Sequence, residues 1–126
     1  MEIIETLIAD LKLVRSREYE DSRGTFSRSY CMRDFEILIG SRTLKQINLS
    51  LTHKIGAIRG LHLQLPPHSE LKLVRCLKGT VWDVAVDLRQ GSSTFLQWHA
   101  EELSEKNKRV LVIPEGFAHG FQVMAS

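Results

Sequence analysis

Short apolar runs at near-regular spacing dominate this sequence, and they limit its fold more than any other feature. Beyond residue 44 the side chains either alternate polar and apolar or form brief apolar runs bounded by turn-forming residues. Alternation places successive side chains on opposite faces of a strand. Many short strands favour an all-β sandwich or barrel over alternating βαβ units. The predicted strands are Gln46–Leu51, Leu71–Lys78, Val81–Leu88, Phe95–Glu101 and Val110–Ile113.

Only one segment has a helical period. In Met32–Ile39 the apolar residues recur three and four positions apart, and Gly40 follows as a helix-ending residue. Asp21–Gly24 has the composition of a turn. The pattern of Thr6–Val14 fits a strand and a helix equally, so that choice stays open. Gly120–Met124 resembles the beginning of a strand, and its apolar residues need a covering surface. We therefore predict a mainly β domain with one short helix.

Length and charge exclude several classes of protein. The chain has 126 residues, enough for a single domain over residues 1–126. Its 17 basic and 15 acidic residues leave a charge of +2 with no basic tract, which argues against nucleic-acid partners. No apolar run is long enough to span a bilayer and no signal peptide is visible. Cys31 and Cys76 fit neither a disulfide framework nor a zinc module, so we expect a cytoplasmic protein.

A cluster of cationic and imidazole side chains lies around a proline turn in Ile58–Arg75. Arg59 is a planar donor suited to phosphate, although a surface ion pair is its commoner role. His62 can act as a proton acceptor, although a lone strand histidine is more often structural. Because Arg59 and His62 are three residues apart, a regular strand places them on opposite faces. Gly60 lies between them and would permit the bulge that brings both to one face.

Three further residues have alternative interpretations. Lys72 alternates with Val74 and Cys76, so its ammonium either stabilises negative charge in a cleft or extends along the apolar surface to water. His119 lies in a glycine- and proline-rich turn, which either fixes the position of a site residue or is purely structural. Asp83 is either an inward carboxylate or a solvated one. A lysine among candidate ligands repels a divalent cation, so we expect no bound metal.

Six segments spread over nearly the whole chain form a recognisable pattern: Asp21–Phe26, Gln46–Ser50, Ile58–Pro67, Lys72–Arg75, Asp83–Arg89 and Ile113–Phe121. Together they closely resemble the dTDP-4-dehydrorhamnose 3,5-epimerase family. The resemblance implies a cupin-like jelly-roll barrel that is a metal-free and cofactor-free homodimer. It implies a nucleotide-linked 4-keto-6-deoxyhexose as substrate, in a pathway to rhamnose or a related sugar.

The resemblance also implies a role for each matching residue. His62 corresponds to the catalytic base, Lys72 to the residue that stabilises an enolate, and Arg59 to a diphosphate ligand. Gln46, Asn48 and His119 correspond to residues lining the substrate site. Arg23 and Phe26 correspond to residues that reach the nucleotide across a dimer interface. The protons at C3 and C5 of such a sugar are acidic because each lies next to the C4 ketone, which fits a base paired with a cation.

Two departures from the family pattern leave alternatives open. Arg28 stands where the pattern has an acid that contacts the nucleotide base, so the base is either thymine or another one. Family members also continue beyond Ser126 with a tyrosine proton donor and an aspartate that pairs with the base histidine. A protein ending at Ser126 is expected to be weakly active and poorly stable. A non-catalytic sugar-nucleotide-binding jelly roll and a metal-dependent cupin enzyme are the competing hypotheses.

Overall fold

The chain forms ten strands and one helix. The computed structural model describes residues 1–126. The elements are β1 (Glu2–Glu5), β2 (Lys12–Arg15), β3 (Glu18–Asp21), β4 (Gly24–Ser27), α1 (Met32–Ile39), β5 (Ile58–His62), β6 (Lys72–Arg75), β7 (Thr80–Asp87), β8 (Trp98–Ser104), β9 (Arg109–Ile113) and β10 (Phe117–Ala125). The mainly β prediction with one short helix is therefore confirmed.

Two four-stranded antiparallel sheets make up the body of the molecule. One has the strand order β1–β2–β9–β6 and the other has the order β5–β10–β7–β8, while β3 and β4 form a separate hairpin. The helix has the predicted bounds and ends at Gly40, which has φ 60°. At eight residues, α1 is too short to cross a membrane.

Most predicted strands are present, with altered bounds. β6 lies within its predicted range, and β7 and β9 each begin one residue before theirs. The undecided segment at residues 6–14 becomes a turn that leads into β2. β10 does not begin at Gly120 but at Phe117, and it lies between β5 and β7. The prediction of a strand start at Phe95 is wrong, because Leu96 has φ 69° and residues 95–97 turn before β8. The left-handed backbone conformation of Leu96 interrupts the extended chain there.

The predicted strand Gln46–Leu51 is absent. These residues have no regular secondary structure, and all six are exposed. Alternation of side chains is a property of the sequence, whereas a strand also requires a neighbouring backbone to bond with. No other strand of this chain pairs with the segment. The alternating pattern is present in the sequence, but no backbone within residues 1–126 pairs with it.

β9 is buried on both of its faces. Leu111 and Ile113 join the larger apolar cluster between the two sheets, which also contains Ala85 and Phe117 from the second sheet. Val110 and Val112 face the opposite way and pack against Phe35 and Ile39 of α1. Burial on both sides explains why this strand reads as a continuous apolar run. The helix therefore covers the outer surface of the first sheet.

Candidate active site

Two histidines lie directly opposite each other on neighbouring strands. In the antiparallel pairing of β5 with β10, His62 is the register partner of His119. Directly opposed residues project to the same face of a sheet, with Cβ atoms roughly 5 Å apart. The side chain of His119 is only 12% exposed, whereas His62 lies at the exposed end of β5. The two imidazoles therefore share one wall of the barrel interior.

A β-bulge adds Arg59 to the same face. Phe121 pairs with Arg59, so β10 advances two residues between its paired positions while β5 advances three. The extra residue lies next to Gly60, which has φ 111°. Without this insertion, Arg59 and His62 would face opposite sides. The bulge predicted at Gly60 is confirmed.

The bulge also requires a close approach of two backbones. A Cβ on Gly60 would lie 2.7 Å from the Gly120 Cα and 2.7 Å from the His119 carbonyl oxygen. A Cβ on Gly120 would in turn lie 2.6 Å from the Arg59 carbonyl oxygen. Both positions therefore require glycine for space, and Gly60 requires it for its backbone conformation as well.

Lys72 reaches the site from the opposite sheet. Its strand neighbours divide between the two cores: Val74 and Cys76 pack in the cluster between the sheets, whereas Leu71 and Leu73 pack with the helix. Lys72 alternates with the first pair and therefore faces the interior. The prediction that it shares a face with Val74 and Cys76 is confirmed.

Asp83 is a fully buried carboxylate beside His119. Its exposure is 0%, and its Oδ2 lies 2.9 Å from the Nε2 of His119. Burial raises the pKa of Asp83, and the hydrogen bond from His119 together with the nearby charge of Lys72 offsets only part of this effect. Of the two alternatives considered for Asp83, the inward carboxylate is confirmed.

The predicted binding residues Gln46 and Asn48 lie on the exposed segment between α1 and β5. Two contacts tie that region to the site. The Arg59 Nε donates a 2.9 Å hydrogen bond to the Thr52 Oγ1. Earlier in the chain, Arg42 donates two hydrogen bonds of 2.8 and 2.9 Å to the carboxylate of Glu115, in the turn before β10. The segment is thus attached at both ends to elements that carry site residues.

Arg23 and Phe26 are not brought to the histidines. Both lie on the β3–β4 hairpin, where their exposures are high and Arg23 pairs with Asp21 at 2.6 Å. The hairpin forms its own two-stranded sheet outside the two main sheets. Within one copy of the chain, these residues are therefore separate from the site formed by β5, β6, β7 and β10.

The assembled groups suit the stabilisation of an anion. No three or more His, Cys, Asp or Glu side chains are arranged to hold a metal ion. Instead, a lysine and an arginine accompany two imidazoles and one buried carboxylate. Such a set can bind a negatively charged group, remove a proton next to a carbonyl and stabilise the resulting oxyanion.

The predicted residue set did not include Asp83 as a site residue. A signal was present in β7, where Asp83, Ala85 and Asp87 alternate with Trp82, Val84 and Val86. The more polar set faces inward, and its three members have 0% exposure. A strand whose small and charged side chains occupy the interior face indicates a polar interior site.

The chain is similar in sequence to enzymes of one family. A family model described as dTDP-4-dehydrorhamnose 3,5-epimerase matches residues 5–126. The chain belongs to this family. The epimerase of that name from Sinorhizobium fredii (strain NBRC 101917 / NGR234) is 46% identical over 117 residues, which cover 93% of this chain and 60% of that protein. The Salmonella typhimurium epimerase is 47% identical over 126 residues, which cover 99% of this chain and 68% of that protein.

Solved structures agree with this assignment to the epimerase family. The Legionella pneumophila dTDP-6-deoxy-D-glucose-3,5-epimerase, in complex with dTDP-4-keto-L-rhamnose, has a TM-score of 0.92 at 44% identity, covering 98% of this chain and 65% of that chain. The Bacillus anthracis epimerase with TDP and PPi bound has a TM-score of 0.93 at 42% identity, covering 98% of this chain and 71% of that chain. The predicted cupin-like jelly roll is thereby confirmed. The chain spans between about three fifths and seven tenths of the length of these relatives.

Proposed function

We propose that the protein is an epimerase of a nucleotide-linked 4-keto-6-deoxyhexose, of the dTDP-4-dehydro-6-deoxyglucose type. It inverts C3, C5 or both by removing a proton next to the C4 ketone, in the biosynthesis of rhamnose or a related deoxysugar. The observation that carries this proposal is the register of β5 and β10. That register sets His62 opposite His119 and, through the bulge, turns Arg59 to the same face.

His62 and Lys72 carry the chemistry in this proposal. His62 is exposed at the end of β5, so a bound sugar can reach its imidazole. As a neutral imidazole it accepts the proton from C3 or C5, and negative charge then develops on the C4 oxygen. Lys72 supplies the cation that stabilises this enolate oxygen from the facing sheet. The two groups act on different atoms of the same intermediate.

The other residues of the proposed site bind the substrate. Arg59 holds the diphosphate, since its guanidinium can form paired hydrogen bonds to phosphate oxygens. Gln46 and Asn48 line the sugar site from the segment that Thr52 attaches to Arg59. His119 contacts the sugar beside His62.

The assembly is proposed to be a homodimer. The exposed β3–β4 hairpin, which carries Arg23 and Phe26, would extend to the nucleotide of the second copy. We further propose that residues 1–126 form one cupin-like domain in a cytoplasmic protein. Both cysteines, Cys31 and Cys76, are free thiols, as a reducing compartment favours.

Solvent exchange tests the proposed reaction directly. The protein is incubated in deuterium oxide with dTDP-4-keto-6-deoxyglucose, and deuterium at C3 and C5 is followed by NMR. We expect incorporation by the unaltered protein and its loss in His62→Asn. The matched control is His68→Asn, which alters an exposed histidine six residues later and should leave the rate unchanged. Absence of deuterium at both carbons in the unaltered protein would contradict the proposal.

A second candidate function is binding of the sugar nucleotide without inversion. The chain's two tyrosines are placed elsewhere: Tyr30 packs against the ring of Phe35 at 5.1 Å, and Tyr19 lies on the β3–β4 hairpin. Within one copy of residues 1–126, neither phenol is packed with the site formed by His62 and Lys72. Tight binding with no deuterium incorporation and no inverted product would identify this function.

A further inference from the structure

The carboxylate of Asp83 has an unusual environment for a charge in a barrel interior. Its Oδ2 accepts a hydrogen bond from the Nε2 of His119, while its Oδ1 is buried without a hydrogen-bond partner, although it lies 2.8 Å from the same nitrogen. The imidazole therefore faces the carboxylate with a single nitrogen. Lys72 is near enough for its charge to act on Asp83 as well.

Strand β8 brings a second carboxylate next to Asp83 and holds it with other partners. Glu101 is the β7–β8 register partner of Asp83. Its two oxygens are held at 2.8 Å by the Nε2 of His99 and at 2.6 Å by Arg109. Glu101 thus has its own partners, whereas Asp83 contacts His119, with the charge of Lys72 nearby.

A carboxylate only accepts hydrogen bonds, so the contact determines which imidazole nitrogen carries the proton. With Asp83 ionised, the proton of a neutral His119 must lie on Nε2. The other ring nitrogen, Nδ1, is then the acceptor. If Nδ1 takes up a proton, both ring nitrogens carry hydrogens and the ring becomes an imidazolium beside the Asp83 carboxylate.

We propose that Asp83 is a positioning residue that fixes the orientation and tautomer of His119, so that Nδ1 accepts a hydrogen bond or a proton from the bound sugar. When a proton is transferred, it moves from the substrate to Nδ1 and later returns, while the Nε2 proton and the Asp83 charge stay in place. This inference rests on the proposed function for its kinetic consequence. The tautomer itself is a property of the protein alone.

β7 provides a matched control for this proposal. Asp87 is the second carboxylate on the strand with 0% exposure, and it faces the same side as Asp83. Its partners are Arg89, Ser92 and Thr94, none of which belongs to the site. A purely structural role for Asp83 predicts that neither substitution changes which nitrogen of His119 carries the proton. A positioning role predicts that only Asp83 affects His119.

The first measurement is the ¹⁵N NMR spectrum of the imidazole groups, with His119 assigned from a His119→Gln variant. We expect the unaltered protein to carry the proton of His119 on Nε2. Asp83→Ala should give a mixture of tautomers, whereas Asp87→Asn should leave the His119 signals unchanged. A proton on Nδ1 of His119 in the unaltered protein would overturn the proposal even if the Asp83 and Asp87 variants fail to fold.

The second measurement is the rate of deuterium incorporation in Asp83→Asn, which keeps the shape and removes the charge. We expect kcat to fall at least about tenfold with KM changed less than about threefold, because the change acts through a proton-accepting group. A rate within twofold of the unaltered protein would overturn the proposal. If the unaltered protein shows no exchange, the proposed function fails, and the NMR result alone decides the role of Asp83.

Discussion

Asp83 and Asp87 lie four residues apart on one face of β7 and are equally buried, yet their pKa values shift in opposite directions. Burial raises the pKa of both, but at Asp87 the hydrogen bonds from Arg89, Ser92 and Thr94 outweigh it and hold the pKa below its usual range. At Asp83 the burial effect prevails. The charge of Asp87 therefore stabilises the fold, whereas the charge of Asp83 opposes folding.

Asp87→Asn should lower the free energy of unfolding at pH 7 by on the order of 2–3 kcal/mol, because hydrogen bonds to a buried charge are lost. A lowered pKa means that this contribution is present above the ordinary value of 3.8 and is lost as the pH falls below it. When the pH is lowered from 4 to about 2, the unfolding free energy of the variant should therefore fall less than that of the unaltered protein. Urea unfolding at several pH values measures both effects.

The control for Asp87 is Asp10→Asn, which removes the other carboxylate bound to Arg89. Asp10 is 68% exposed, so its loss should cost less than about 1 kcal/mol. Equal losses from the two substitutions would show that the buried network around Asp87 does not contribute as proposed.

Gly60→Ala should disrupt the site at the bulge. The added Cβ meets backbone atoms of Gly120 and His119 that cannot move independently, so we expect a loss of roughly 2 kcal/mol or more in unfolding free energy. Deuterium exchange should fall as well, because Arg59 and His62 lose their common face.

Gly60→Ala combines a positive φ with a backbone clash, and Gly91→Ala tests the effect of a positive φ alone. Gly91 also has a positive φ, 84°, but a Cβ there meets nothing within 4 Å. It should cost only about 1 kcal/mol and leave the exchange rate intact. If both alanine variants behave alike in thermal unfolding and in exchange, the close approach of β5 and β10 is not what requires glycine.

Lys72→Met should slow deuterium incorporation by about 100-fold or more, the usual effect of removing one group that stabilises an oxyanion. KM should change little, because the ammonium acts chiefly on the charge that develops during the reaction. The comparison is Lys12→Met, another half-buried lysine of the first sheet, which pairs with Glu5 at 3.6 Å. An unchanged kcat in Lys72→Met would remove it from the proposed mechanism.

The ion pair between Arg42 and Glu115 should influence binding more than stability. Their side chains are 47% and 34% exposed, so the pair is worth less than about 1 kcal/mol. It attaches the segment of Gln46 and Asn48 to the turn before β10. Glu115→Gln and Arg42→Ala should each raise KM several-fold with kcat unchanged, and the double variant should be no worse than either. Additive effects would contradict a shared function.

Local features of this fold could be predicted from the sequence, whereas the direction in which a strand face points could not. Helix α1 and the glycine bulge followed from residue chemistry, because a helical period and a glycine between two polar residues act locally. The inward direction of Asp83 did not follow, since Trp82 and Val84 are the more apolar neighbours and would ordinarily be placed inside. Which face of β7 meets the opposite sheet depends on the whole barrel, and alternation alone does not contain that information.

The segment of Gln46 and Asn48 shows a different limit. Its alternation predicted a strand, but pairing requires a second backbone, and no local pattern specifies where that backbone comes from. The site residues on it were therefore recognisable by resemblance while their conformation was not. The same reasoning applies to Arg23 and Phe26: the composition of Asp21–Gly24 predicts a turn, whereas the contact of these residues with a nucleotide across a dimer interface is implied only by the resemblance.

β9 contributes no reactive group, yet the whole site depends on it. It bonds to β2 on one side and to β6 on the other, and its Ile113 is the register partner of Lys72. Because its two faces belong to two different apolar clusters, the helix layer and the barrel interior are expected to lose their order together, as one cooperative unit. Packing on the far side of this sheet, in the cluster that contains Phe35 and Val112, thus supports the strand to which Lys72 is paired.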